Sequence, residues 1–184
     1  MNVNKAAFLD RDGTINVDKR YVHKIEEFEY LPGVIDGLKL LQEAGYRLII
    51  VTNQSGIARG FYSEHDYDIL TEWMLQDLGY KGIHISKVYM CPHLPNSPIL
   101  QFKKNCQCRK PRLGLFDQAA RDFDIDLDYS IAIGDNERDL SLCQNSKCQG
   151  YIIDPHKEKT LKNKSLVRVN SLFEAAVISS QRNT

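Results

Sequence analysis

Neither sign of charge is in excess: 24 Lys and Arg face 24 Asp and Glu, for a formal net charge of zero. No global field draws such a chain to a nucleic acid backbone or an anionic membrane, so any anion it binds must be met by a local cluster. Long apolar runs are missing, and MNVNKAAFLDRDG lacks the uninterrupted apolar stretch of a signal peptide. The expectation is a cytoplasmic protein with no nucleic acid and no membrane partner. There are no internal repeats or low-complexity linkers, and the 184 residues are expected to form a single domain, 1–184, around one core. No symmetric apolar face stands out, which leaves a monomer as the default. Five cysteines, an odd number, do not make a disulfide scaffold.

What is present is an alternation. Short apolar runs at Ala6–Leu9, Tyr46–Thr52, Val88–Met90, Ser130–Ile133 and Gly150–Ile153 have the length and composition of buried strands. Helical patterns lie between most of them. Val34–Ala44 places Val34, Leu38 and Leu41 on one face and stops at Gly45. Ser63–Leu78 opens on a capping-box pair, Ser63 and Asp66, and stops at Gly79, with Leu70 and Trp73 as core residues. The tail Ser179–Thr184 reads as frayed. Strand–helix alternation predicts an α/β fold: a Rossmann-like three-layer α/β/α sandwich with a mostly parallel sheet. Two long segments, Arg11–Leu31 and Cys91–Lys110, leave the carboxyl ends of strands, where open α/β sheets place their ligands.

Polar groups gather at those same ends. Asp10 and Asp12, one residue apart, follow the first strand and precede the turn residue Gly13; Asp and Gly are also common there simply as turn formers. Thr52-Asn53-Gln54 follows the second strand, Arg109-Lys110 precedes a helix, and Gly134-Asp135 with Asp139 follows the fourth strand. In this order they form an Asp-x-Asp, a Ser/Thr, a Lys and a Gly-Asp-x-x-x-Asp. The chain thereby resembles the haloacid dehalogenase-like phosphatase superfamily.

The resemblance implies a phosphoryl transfer with named roles. Asp10 would attack phosphorus and form a covalent aspartyl-phosphate, and Asp12 would protonate the leaving oxygen and then activate water. As an acid at neutral pH, Asp12 is expected to have surroundings that favour its protonated form. Asp10, Asp135 and the backbone carbonyl of Asp12 would hold Mg²⁺, a hard ion suited to oxygen ligands. Thr52 and Lys110 would bind the phosphoryl group, with the Asn53 amide as a third donor. Asp139 is expected to orient Lys110 or the metal shell. No insertion is long enough for a separate cap domain.

Cys91-Pro92-His93 followed by Cys106-Gln107-Cys108 offers three thiolates and an imidazole, a complete tetrahedral set for a structural Zn²⁺ in the loop 91–108. Cys143 and Cys148 read as ordinary thiols. Within the superfamily the zinc loop resembles a branch of heptose bisphosphate phosphatases and histidinol-phosphate phosphatases. FLDRDGTIN, VTNQSGIARG and the long gap from His93 to Cys106 favour the former. The substrate implied is a small sugar bisphosphate, an intermediate of ADP- or GDP-heptose and surface polysaccharide synthesis. Its two phosphates each carry roughly −1.5 to −2 charge. Asp18, Lys19, Arg20, Tyr21, Thr52, Asn53, Gln54, Ser55, Arg109, Lys110 and Asn136 form the expected substrate-binding set. Asn136 stands where the heptose enzymes tend to have Lys. Three alternatives remain: a histidinol-phosphate phosphatase, a nucleic acid 3′-phosphatase and a non-catalytic zinc-stabilised binding module.

Overall fold

The computed structural model describes residues 3–144 and 146–181. Six strands, β1 (Ala6–Leu9), β2 (Arg47–Asn53), β3 (Ile85–Cys91), β4 (Ile131–Gly134), β5 (Gln149–Ile153) and β6 (Val167–Val169), form one sheet. All neighbours pair in parallel, in the order β3-β2-β1-β4-β5-β6. The helices are α1 (Val34–Glu43), the one-turn α2 (Ser55–Ala58), α3 (Glu64–Tyr80), α4 (Gly114–Phe123) and α5 (Leu172–Gln181), with a 3₁₀ helix over Glu137–Gln144.

Successive strand residues point to opposite faces of the sheet, and both faces are covered. Ala7, Leu9, Leu48, Ile50, Ile131 and Ile133 pack against Leu38 and Leu41 of α1, Met74 and Leu78 of α3, and Ala175 and Ala176 of α5. Ala6, Phe8, Ile49, Val51, Ala132 and Ile152 pack against Leu115, Phe116 and Ala119 of α4 and Leu140 of the 3₁₀ helix. Each fully buried Leu or Ile among them contributes roughly 1.5–3 kcal/mol. The resulting three layers match the sandwich expected from the sequence, with the described strands parallel throughout. No separate cap stands over the sheet among the described residues. Gly37 lets α1 and α5 meet: a Cβ there would sit 2.5 Å from Leu172 Cδ2 and 3.0 Å from the Phe173 Cα.

Several boundaries differ from expectation. β3 runs three residues further at its start and ends on Cys91, because it is an edge strand whose alternating polar residues hide it from an apolar-run search. α3 has the expected capping box, but it passes Gly79 and stops before Gly82, which takes φ +79°. Leu70 is fully buried, while Trp73 is half-buried, edge-on to Phe28. The tail is corrected: Ser179 is fully buried in α5, which continues to Gln181, and residues 182–184 lie outside the described residues. β6 was not anticipated.

Topology fixes where chemistry can occur. From β1 the chain builds outward through β2 and β3 on one side and through β4, β5 and β6 on the other. A crevice therefore opens outside the carboxyl ends of β1 and β4, the point where strand order reverses.

Candidate active site

Asp10 stands in that crevice, its N–H donating to the Ile133 carbonyl of β4 at 3.0 Å. Asp135 follows β4, and Asp139 returns from the first turn of the 3₁₀ helix. Asp10, Asp135 and Asp139 each bring a carboxylate oxygen within 4.8 Å of the others. Lys110, 2 % exposed, lies beneath them. Its ammonium is 2.7 Å from Asp10 Oδ1 and 2.8 Å from Asp139 Oδ1, and it donates to the Val51 carbonyl at 2.6 Å. Burial first, then Asp139, pushes Asp10 up to about 7 against the opposing pull of Lys110. Burial and Asp139 also raise Asp135. For Lys110, burial works against the charge, but Asp10 and Asp139 outweigh it and hold the ammonium above its ordinary value.

These carboxylates fit a hard divalent cation. Lys110 pairs with Asp10 and Asp139, Arg138 Nε lies 3.8 Å from Asp139 Oδ1, and the backbone comes close to Asp135. Gly13 takes φ +81° and lies so close to Asp135 that a Cβ would sit 2.8 Å from its Cγ.

Asp12 lies to one side, held by donors. Arg11 reaches both its oxygens through Nε and Nη2 at 3.0–3.2 Å, Gln54 Nε2 donates at 2.9 Å and Asn16 Nδ2 at 3.1 Å. Arg11, Asn16 and Gln54 thus all donate to the Asp12 side chain. Thr52 Oγ1, buried, accepts a bond from the same Gln54 amide at 2.8 Å. The Asn53 side chain clasps the Lys110 backbone reciprocally, both bonds at 3.1 Å, so its amide group ties strand β2 to the loop that delivers Lys110.

An open cavity of about 450 Å³ gathers Asp10, Asp12, Asp18, Arg20, Tyr21, Thr52, Asn53, Gln54, Ser55, Arg109 and Asp135. Arg59, Tyr62, Arg138 and Asp139 line it as well. The first three went unrecognised in the sequence, although Arg59 falls within VTNQSGIARG. Their signal is positional, since Arg59 follows the one-turn helix after β2 and Arg138 lies within the Gly-Asp-x-x-x-Asp stretch. Two expected substrate contacts lie elsewhere. Lys19 points to Glu29 at 2.8 Å, and Asn136 borders a neighbouring hollow with Glu137 and Lys159. Lys110, also expected to bind substrate, does not line the cavity itself but contacts two residues that do, Asp10 and Asp139.

The loop Cys91–Cys108 brings its three thiols and His93 into one cluster. Sulfur–sulfur separations are 3.0–3.5 Å, and His93 Nδ1 is 3.2 Å from Cys108 Sγ and 3.7 Å from Cys91 Sγ. A tetrahedron with Zn–S of about 2.3 Å has edges of about 3.8 Å, close to this spacing. Burial holds His93 below its ordinary value, keeping the ring in the neutral form that ligates. The loop is also fastened to the start of α4 and the residues before it. Arg112 donates to the Cys106 carbonyl, Arg109 to the His93 carbonyl at 3.3 Å, and a Cβ on Gly114 would sit 2.6 Å from the Gln107 carbonyl.

Comparison with known proteins agrees with this geometry. Residues 5–147 match the family model described as Polynucleotide kinase 3 phosphatase. The chain is 41% identical over 180 residues to the D-glycero-alpha-D-manno-heptose-1,7-bisphosphate 7-phosphatase of Photorhabdus laumondii subsp. laumondii, covering 94% of this chain and 98% of that protein. The chain belongs to the heptose bisphosphate phosphatase family of HAD-like phosphatases. A D-glycero-beta-D-manno-heptose-1,7-bisphosphate 7-phosphatase of Haemophilus ducreyi is 48% identical over 137 residues, 74% of this chain and 75% of that protein. Among solved structures, the D,D-heptose 1,7-bisphosphate phosphatase of B. bronchiseptica, complexed with magnesium and phosphate, superimposes with a TM-score of 0.84 at 28% identity. That match covers 97% of this chain and 99% of the other. The phosphatase is thus a phosphoric monoester hydrolase, which removes the non-catalytic binding module from the alternatives. No helix among the described residues is long and apolar enough to cross a membrane.

Proposed function

We propose that this phosphatase removes the C7 phosphate of D-glycero-D-manno-heptose 1,7-bisphosphate through an aspartyl-phosphate on Asp10, a step in making an activated heptose for surface polysaccharide. The observation that carries the substrate class is the composition of one cavity. Its carboxylates Asp10, Asp135 and Asp139, with Lys110 beneath, suit a phosphoryl group and its metal. Arg20, Arg59, Arg109 and Arg138 line the same cavity and exceed what a single phosphate requires. A second phosphate on the substrate uses them, and Arg109, fixed through its bond to the zinc loop, offers bidentate contact.

In the reaction, an Asp10 oxygen forms a bond to phosphorus while the bond from phosphorus to the sugar oxygen breaks. Asp12 delivers a proton to that oxygen, so the sugar leaves as an alcohol. Lys110 and Thr52 hold the non-bridging oxygens in place. In the second half, Asp12 takes a proton from water, the water oxygen attacks phosphorus, and Asp10 is released with inorganic phosphate. Mg²⁺, when bound by Asp10, Asp135 and the Asp12 carbonyl, supplies the charge that lets an anionic nucleophile approach an anionic ester. Asp139 supports Lys110 through its own 2.8 Å ion pair beside that of Asp10. Cys91, His93, Cys106 and Cys108 would hold Zn²⁺, and a loop tied in this way would keep Arg109 and Lys110 in register with the cavity.

The test is phosphate release, with Mg²⁺ supplied and zinc content verified, from both anomers of the heptose bisphosphate, from histidinol phosphate and from a 3′-phosphorylated oligonucleotide. A preference in kcat/KM of about a hundredfold or more for a heptose anomer is expected, the scale of one well-placed charged contact. Comparable turnover of either competitor would overturn the heptose assignment. The oligonucleotide arm matters because the matching family model takes its description from a polynucleotide enzyme.

A further inference from the structure

Three side chains next to the reacting groups take no part in the bond-making and bond-breaking steps, yet they are built around them. Arg11 is 1 % exposed, the largest of the fully buried side chains. A guanidinium so buried carries a large desolvation cost unless its partners are good. Its principal partner is the Asp12 carboxylate, met through both Nε and Nη2, and Nη2 also donates to the Val22 carbonyl at 2.8 Å. The Tyr67 ring lies against it, 5.7 Å from the guanidinium carbon.

Gln54, 2 % exposed, is fully engaged by its neighbours. Its Nε2 donates to Asp12 Oδ2 and to Thr52 Oγ1, while its Oε1 accepts from the Tyr62 hydroxyl at 2.5 Å. One amide therefore spans the acid–base carboxylate and the phosphoryl-binding hydroxyl. Tyr62 reaches it by lying across α2 at Gly56, where a Cβ would sit 2.1 Å from the ring. Its outer face stacks on His23, with centroids 4.9 Å apart and planes 5° from parallel.

We propose that Arg11, Gln54 and Tyr62 are positioning residues that fix the Asp12 carboxylate toward the leaving oxygen and register it against the phosphoryl group seated at Thr52. Asp12 has rotatable bonds of its own, and a proton donor works only within hydrogen-bond reach of the atom it serves. Arg11 sets the plane of the carboxylate, because two donors in a rigid fork meet both oxygens. Gln54 sets its distance from Thr52. Tyr62 holds the amide of Gln54 in the orientation that presents Nε2 to both.

The inference rests on Asp12 serving as the general acid, and the experiment separates the two ideas. Misplacing an acid slows departure of a poor leaving group and spares one that leaves without a proton. Single-turnover rates of leaving-group release are compared for a sugar phosphate, an alkyl ester, and for p-nitrophenyl phosphate. Asp12→Asn is the control and should lower the alkyl-to-aryl rate ratio by about a hundredfold or more. Arg11→Lys, which keeps the charge and loses the fork, should lower it about tenfold, and Tyr62→Phe, which keeps the ring and its stack, about threefold. KM of Tyr62→Phe should stay near wild type, and its thermal midpoint should fall only by the several degrees that one lost buried hydrogen bond costs. A wild-type ratio in Tyr62→Phe and in any soluble Arg11→Lys, with Asp12→Asn still selective, overturns the positioning role. A wild-type ratio in Asp12→Asn overturns the acid assignment on which it rests.

Discussion

Lys110→Met is the perturbation that most directly tests the electrostatic account of the site. Met fills much of the same channel but removes an ammonium paired with Asp10 at 2.7 Å and Asp139 at 2.8 Å in a site closed to solvent. Breaking a buried pair by deleting one partner costs about 3–5 kcal/mol, because the other charge stays behind uncompensated. At roughly 2–4 °C per kcal/mol for a chain of this size, the midpoint should fall by about 6–20 °C. The pH dependence separates this loss from simple packing. In the wild type Asp10 is raised to about 7, so the stability it contributes is fully present below its unfolded value near 4 and is lost as pH rises to about 7. Without the ammonium Asp10 rises further, and the variant goes on losing stability above pH 7 by about 1.4 kcal/mol per unit. Urea unfolding of both proteins, zinc content confirmed, should show a gap at least about 1 kcal/mol larger near pH 8.5 than near pH 6.5. Mg²⁺ should narrow the gap at the higher pH by restoring positive charge among the carboxylates. A gap that ignores both pH and Mg²⁺ would refute the reasoning and leave only a packing defect.

The geometry sets three further outcomes. Gly13→Ala forces a Cβ to 2.8 Å from Asp135 Cγ at φ +81°, and should raise the Mg²⁺ needed for half-maximal phosphate release by about tenfold or more, within the 10–100-fold range for disturbing groups that orient metal ligands. Cys106→Ser should remove zinc, as read by metal analysis; at roughly 2–4 °C per kcal/mol of lost metal-linked stability it should lower the midpoint by several degrees, and it should depress kcat through the loosened Arg109 and Lys110. Arg109→Met should raise KM for the bisphosphate by about 10–100-fold, equivalent to one charged hydrogen-bonding partner, while leaving KM for the corresponding 7-monophosphate near wild type.

The parts of this molecule that were legible in the sequence share a physical basis. The strands β1, β2, β4 and β5 are buried on both faces, so their apolar runs announce them, and the turn chemistry after each puts polar groups at known ends. Asp10, Asp12, Thr52 and Asp135 stand out as polar groups at strand exits and Lys110 ahead of a helix, and the roles expected of them come from the resemblance of that order to the phosphatase superfamily. Periodicity says nothing of an edge strand that is half polar, which is why β3 looked short. β6 has three residues, too few for any pattern, and α5 was hidden because Ser179 and Ser180 suggest a fraying end when nothing shows that Ser179 Oγ donates to the Ala175 carbonyl at 2.7 Å inside the helix.

Arg11 shows the limit most clearly. Between two aspartates on an extended segment, alternation assigns the middle residue to the side away from the ligand, and no sequence pattern gives Arg11 a role. The chain, however, leaves the strand at Asp10: Ile15 and Asn16 both return N–H bonds to the Arg11 carbonyl, at 2.8 and 3.1 Å. That turn folds Asn16 back onto Asp12, and the long Arg11 side chain curls inward to meet Asp12, Val22 and Gln54 from below. A length of side chain and a turn of backbone, neither visible as a pattern, decide that the same residue is a buried clamp. The candidate site is therefore read from sequence in its strand-end carboxylates and from structure in the side chains that contact them. Only the structure shows that Asp12 is surrounded by donors from Arg11, Asn16 and Gln54.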